Sequence, residues 1–250
     1  MEITLVYPML VPFGFYFTWY VIFTQFHARF SLPKLSHKNK EKPQAYFDKN
    51  IRTWPPMEFA VVDIETTGGM PQSHGITEIA IVLHNGVEVT GKYVTLINPK
   101  QKIPPFIVNM TGISDAMVAT APLFEEVAPQ IFNLLKDRVF VAHNVSFDYG
   151  FVHYLLNHHG YEWSAPKLCT IRLSKKVFPG FTKYGLGSLT RDLGIRIEGR
   201  HRAWGDAAAT AQVLTMAIEK EGMQPIHNLL NKKEPRKKIA PPSSETGDAS

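Results

Sequence analysis

The stretch Val61–Gly69, VVDIETTGG, sets two carboxylates, Asp63 and Glu65, at the end of an apolar, β-branched run and follows them with two threonines and two glycines. With the residues before it, MEFAVVDIE reads as a buried strand. Residues i and i+2 of a strand point to one face, so both carboxylates project together from the strand's end. Burying acids costs free energy unless something compensates their charge, so the rest of the chain has to account for their presence.

Outward from that strand, ITEIAIVLHNGVEVTGKYVTLIN reads as two strands joined at Asn85-Gly86, a strong hairpin dipeptide. PLFEEVAPQIFNLLKD has helical spacing at Phe124, Val127, Ile131 and Leu134/Leu135. RVFVAHN is a short buried strand, and SFDYGFVHYLLNHHG a helix with Ser146 as N-cap and Gly160 just past its end. Helices follow around Cys169–Val177 and at GSLTRDLGI, and a last one runs over the alanine-rich AWGDAAATAQVLTMAIEKEG, closed by Gly222. Three strands, a helix, a fourth strand and then mostly helices predict an α/β domain over 57–230, a mixed sheet with helices packed on it.

The 250-residue chain carries a formal charge of +5, but the segment 57–230 holds 15 Lys+Arg against 16 Asp+Glu, a net of −1. The basic excess sits in the flanks, so basicity alone does not argue for a nucleic-acid partner. The single cysteine, Cys169, excludes an intrachain disulfide. Residues 1–30 form a separate zone, uncharged from Ile3 to Gln25 and densely aromatic. Its length suits a membrane contact through residues 3–26, whereas Pro8, Pro12 and Gly14 and the missing basic n-region argue against a spanning helix or signal peptide. If it is an anchor, the basic linker 31–56 places the domain on the cytoplasmic face; the other reading starts translation at Met57. Both imply a cytoplasmic domain. Residues 231–250 read as a disordered basic and polar tail.

Two further acids fall where α/β folds build sites: Asp148 in the first turn of the helix after the fourth strand, and Asp206 near the start of the last helix. Four carboxylates converging on one cleft would raise each other's pKa. Divalent cations with a preference for oxygen, Mg²⁺ or Mn²⁺, remove that conflict. Two such ions about 4 Å apart form the clamp used for in-line attack on a phosphodiester.

With these residues in view, VVDIETTGG resembles the first motif of the DEDD exonucleases, VAHNVSFDYGFV the second, and HRAWGDAAAT the third. The spacing of His201 and Asp206 is that of the DEDDh branch, similar to the proofreading epsilon subunit of bacterial DNA polymerase III. IPPFIVNMTGISDAMVATAPLFEEV resembles the stretch between motifs one and two, and the likeness covers about 57–220. The resemblance implies a ribonuclease-H-like fold and a 3′→5′ exonuclease with two Mg²⁺ or Mn²⁺ ions. Asp63 would bridge both ions, Glu65 and Asp206 would complete one shell, Asp148 would act through a bound water, and His201 would be the general base. It also implies terminal-nucleotide contacts at Thr66, Thr67, Met110, Thr111, Gly112 and Phe147. Trp204 departs from what the third motif usually carries, which puts its local geometry in question. His143 reads as a packing or supporting residue. Lys175, Lys176 and Lys183 are basic enough to touch phosphates, although surface lysines commonly do no more than meet solvent.

The expected substrate is the 3′ end of single-stranded or frayed DNA, with release of nucleoside monophosphates; a polymerase partner is left unassigned. The alternatives are an exoribonuclease acting on short RNA or tRNA ends, and a nucleic-acid-binding scaffold that kept the fold. The scaffold expects at least one catalytic position to be lost, and all five are present.

Overall fold

The computed structural model describes residues 56–230, so the expectations for the N-terminal zone, the linker up to residue 55 and the tail from 231 lie outside the described residues. One five-stranded sheet contains β1 (Phe59–Thr66), β2 (Ile76–His84), β3 (Val89–Leu96), β4 (Val139–Ala142) and β5 (Lys167–Cys169), in the order β3-β2-β1-β4-β5. The first three pair antiparallel, and β4 and β5 add in parallel. This is the mixed sheet expected from the sequence. The β2–β3 turn falls at Asn85-Gly86: the Asn85 carboxamide accepts the Val87 and Glu88 N–H groups, and Gly86 takes φ +88°.

The helices are α1 (Pro105–Thr111), α2 (Asp115–Val118), α3 (Phe124–Leu135), α4 (Val145–His158), α5 (Thr170–Val177), α6 (Leu186–Asp192), α7 (Ala203–Glu221) and α8 (Gln224–Leu230). No described helix is long and apolar enough to cross a membrane. Three departures from the sequence reading have physical causes. The β5 strand is three residues long, too short to show a period, and it includes Cys169, where the sequence predicts the start of a helix. Ser146 is not the N-cap of α4. The chain leaves β4 through Asn144 in the left-handed region (φ 75°), which asparagine tolerates, and the helix begins at Val145. The helices α1, α2 and α8 span only four to seven residues each, below the window in which helical spacing can be counted.

The alternation of β1 sends its residues into two cores. Ala60, Val62 and Ile64 pack with α3, α4 and Trp163. Phe59 and Val61 pack on the other face with α5, α8 and the buried alanine stripe Ala203, Ala207, Ala211 and Ala217 of α7. By the same alternation Asp63 and Glu65 continue the α7 face beyond Val61. The partner β4 reaches only as far as Val61, so both acids lie past its end.

The start of α7 is set by a close backbone crossing. A Cβ at Gly205 would collide with the Glu198 and Gly199 carbonyl oxygens, so the loop Glu198–Arg202 lies directly across the helix's first turn. Gly205→Ala should push that loop off the helix and cost about 1–3 kcal/mol of overpacking. A urea-denaturation midpoint equal to that of the parent chain would contradict the crossing.

Candidate active site

Three carboxylates meet at the end of β1. Asp63, Glu65 and Asp206 each present an oxygen within 4.8 Å of the other two. Asp63 and Glu65 reach this point because they are two apart on one strand face, and Asp206 because α7 lies over that face. The fourth acid arrives differently. Beyond the end of β4, the Ile64 N–H donates to Asp148 Oδ1 at 3.2 Å, so the first turn of α4 supplies a partner that no strand residue provides there. Asp148 is buried and close enough to Asp63 to raise its pKa, but it is not one of the three mutually close acids.

The turn after the acids is built by the threonine and glycine pairs. Thr66 Oγ1 donates to the Gly68 carbonyl at 2.7 Å. Thr67 closes the loop on Gly75: its N–H donates to the Gly75 carbonyl at 2.9 Å, and its Oγ1 accepts the Gly75 N–H at 3.0 Å. Gly68 lies so near the His74 ring that a Cβ would collide with it.

The electrostatics of the cluster are those of acids withheld from water. Asp63 is pushed well above the usual carboxylate range, first by burial and then by Asp148, Asp206, Glu65 and Glu78. Glu65 is pushed up to about 7 by burial, then by Asp206 and Glu78, against the opposing pull of Arg202. Asp148 is raised by burial despite the N–H groups that hydrogen-bond to it. Asp206 is raised by burial, against the His201 N–H and the nearby His201 and Arg200 side chains. Asp206 Oδ1 is buried with no hydrogen-bond partner among the described residues. An all-oxygen donor set, mutual repulsion and an orphaned carboxylate oxygen fit a divalent cation.

The two histidines differ in kind. His201 sits on the loop before α7 at φ 60°, and its backbone N–H donates to Asp206 Oδ2 at 3.3 Å. Its half-exposed ring makes no hydrogen bond to a described residue. His143 uses both ring nitrogens. Nε2 lies 2.9 Å from the Tyr184 carbonyl, which only accepts, so Nε2 carries the proton and Nδ1 accepts from Thr170 Oγ1 at 2.9 Å. Burial lowers its pKa to about 4, against the Tyr184 hydrogen bond, so it stays neutral. It ties the end of β4 to α5 and to the loop before α6.

Among the residues expected to contact a nucleotide, Met110 and Phe147 are exposed, and Phe147 packs on Phe151 with ring centroids 5.1 Å apart. Thr66, Thr67 and Thr111 are buried. The Thr111 hydroxyl donates to the Ile107 carbonyl and accepts the Ile113 N–H, while Gly112 ends α1 at φ 72°. The threonine hydroxyls are therefore engaged by the fold. Trp204 turns toward β3, where Lys92 Nζ sits 4.3 Å from its ring centroid, and the helix start is undisturbed. Lys175 lies over Tyr184 at 5.8 Å, and Lys176 and Lys183 face solvent.

The sequence reading missed Glu78 and Arg202. Glu78, buried on β2, accepts from Arg202 Nη2 at 2.6 Å, from Arg202 Nε at 3.0 Å and from the Ala203 N–H at 2.9 Å. The available signal was a lone acid inside the otherwise apolar strand ITEIAIV, since a buried charge requires a partner.

Residues 60–214 match the family model described as Exonuclease (RNase_T). The DNA polymerase III subunit epsilon of Aquifex aeolicus is 36% identical over 162 residues, which is 64% of this chain and 80% of the relative. The 3′-5′ exonuclease DinG of Bacillus subtilis is 42% identical over 165 residues, 65% of this chain but only 18% of that protein's length. Among solved structures, Exonuclease X in complex with 5′ overhanging duplex DNA superposes with a TM-score of 0.55 at 28% identity, covering 66% of this chain and 93% of that one. A family model matching well over half of the chain, on the segment that carries all five of these acid and histidine positions, establishes that the chain belongs to the Exonuclease family.

Proposed function

We propose that the chain is a 3′→5′ exonuclease dependent on Mg²⁺ or Mn²⁺, releasing nucleoside monophosphates from the 3′ end of single-stranded or frayed DNA. The observation that carries this reading is the convergence of Asp63, Glu65 and Asp206 at the end of β1, with His201 beside Asp206. The epsilon relative and the Exonuclease X complex are, by name, proteins of DNA, which favours DNA over RNA as substrate.

In this reading Asp63, Glu65 and Asp206 hold the cation, and Asp148 completes the charge around Asp63. When bound, the metal neutralises the carboxylates and polarises the phosphodiester. His201 accepts the proton of the attacking water: its ring makes no hydrogen bond to a described residue, so an imidazole nitrogen is left to take the proton. Asp206 holds the backbone of that histidine through the His201 N–H. His143 is excluded from the role because the fold occupies both of its nitrogens. Phe147, exposed and one residue before Asp148, offers a face on which a base can stack without regard to sequence.

Degradation of a 3′ single-stranded DNA by the purified protein should vanish in chelator, return with Mn²⁺ or Mg²⁺, and not return with Ca²⁺, whose looser coordination does not support the in-line geometry. Metal-independent degradation would sink the reading. His201→Ala should lower kcat by on the order of 10²–10⁴ with Mn²⁺ affinity little changed, whereas His143→Ala should lower the unfolding midpoint more than it lowers kcat. Equal kcat losses in two well-folded variants would reassign the base.

The raised carboxylates also fix a pH dependence. Folding lifts Glu65 from 4.5 to about 7, so between those values the folded protein binds protons that the unfolded chain releases. That stabilisation is complete below about pH 4.5 and is lost as pH rises through about 7. Asp63, Asp148 and Asp206, also raised, act in the same direction. In chelator the thermal midpoint should fall from about pH 5 to about pH 8, with a shallower slope in Glu65→Gln, and added Mn²⁺ should restore it at the higher pH. Melts in chelator with the same slope in both proteins would remove Glu65 as a source.

A further inference from the structure

The proposed nuclease chemistry leaves the ion pair between buried Glu78 and the partly exposed Arg202 without a role. Glu78 is 3% exposed and stands directly across the β1–β2 ladder from Glu65. Nothing in the sheet requires an acid there: its β2 neighbours Ile79, Ala80 and Ile81 are fully buried and apolar, and an apolar residue at that position would need no charged partner. What the pair adds is geometry. Both Glu78 oxygens are used, Oε1 by Arg202 Nη2 and Oε2 by Arg202 Nε and the Ala203 N–H, and a two-pronged contact fixes orientation as well as distance.

The elements joined in this way are the ones that carry the site. Arg202 follows His201 directly and stands as the residue before α7, which has no side-chain cap of its own. A helix start ordinarily takes its cap from the local chain. Here the capping carboxylate comes from a strand 125 residues away, the strand that pairs with β1. One turn further on, Asp206 accepts the His201 N–H, and the loop carrying His201 lies against Gly205.

Resting on the nuclease reading above, we propose that Glu78 and Arg202 are positioning residues that register the start of α7 on β2, and thereby set the separation of Asp206 from Asp63 and Glu65 and the place of His201. Residues acting at one remove from a metal site change its affinity by about tenfold to a hundredfold when altered.

The test compares Arg202→Lys, which keeps the charge but loses the fork, and Glu78→Gln, which keeps the shape but loses the charge, with Ile131→Val. The last is a core variant on the opposite face of the sheet, which serves as a control for stability loss. Three quantities are measured on the full chain: Mn²⁺ binding by calorimetry without DNA, kcat and KM on a single-stranded DNA, and the unfolding midpoint. Both pair variants should bind Mn²⁺ about tenfold more weakly and lose kcat by a similar factor at saturating Mn²⁺, with KM for DNA nearly unchanged. The double variant should be no worse than the weaker single one, since both remove one interaction. Ile131→Val should lose stability with Mn²⁺ affinity unchanged. Pair variants that keep Mn²⁺ affinity and kcat at the parent level overturn the proposal, as does a control that loses Mn²⁺ affinity to the same extent. If one pair variant fails to fold, the other decides; if neither folds, the pair serves the fold as a whole and the positioning role is overturned. A parent chain that neither binds Mn²⁺ nor degrades DNA refutes the nuclease reading instead.

Discussion

Repulsion among closely set carboxylates is the constraint around which this domain is arranged. Asp63, Glu65 and Asp206 bring oxygens within 4.8 Å of one another, Asp148 lies close enough to burden Asp63, and Glu78 stands across the ladder from Glu65. A fold gains nothing in stability from this. Every one of the four site acids is held above its ordinary pKa, with burial as the first cause. The metal-free protein is therefore destabilised at neutral pH in proportion to how many of these groups ionise. Such a cluster is tolerated when a cation completes it, and the unpartnered Asp206 Oδ1 is where the completion is most plainly lacking among the described residues.

The fifth acid shows the contrast. Glu78 is buried more deeply than Glu65, yet both of its oxygens are paired, by Arg202 and the Ala203 N–H. Its compensation is built into the protein, whereas Asp63, Glu65 and Asp206 form a group that could hold a cation, with Asp206 Oδ1 unpartnered among the described residues. Two carboxylates facing each other on neighbouring strands thus differ in how their charge is met, decided by whether a guanidinium hydrogen-bonds to them.

How far the sequence disclosed this depended on range. Asp63 and Glu65 were legible because strand alternation is local, and Asp148 and Asp206 because both fall in the first turn of a recognisable helix. The long helix α7 and the Asn85-Gly86 hairpin were legible for the same reason. What escaped was either too short or too distant. The three-residue β5 and the short helices α1, α2 and α8 carry no countable period. The N-cap of α4 depends on Asn144 adopting φ 75°, so the nearby Ser146, by composition the better cap, misled. The pairing of Glu78 with Arg202 joins residues 124 apart, and no local rule connects them. Only the anomaly of an acid within ITEIAIV pointed to it.

The placement of His201 follows from these long-range terms acting together. A left-handed φ of 60° is uncommon for a residue with a side chain, and it persists only where the surroundings hold it. Here the Asp206 carboxylate holds the His201 N–H from below, the Gly205 crossing admits the loop, and Glu78 fixes the next residue through Arg202. The histidine backbone is thereby constrained on three sides while its ring stays free of the fold. His143 has the reverse arrangement, an ordinary backbone with a ring committed at both nitrogens. A proton acceptor needs a fixed origin and an unoccupied nitrogen, and of these two histidines only His201 has both.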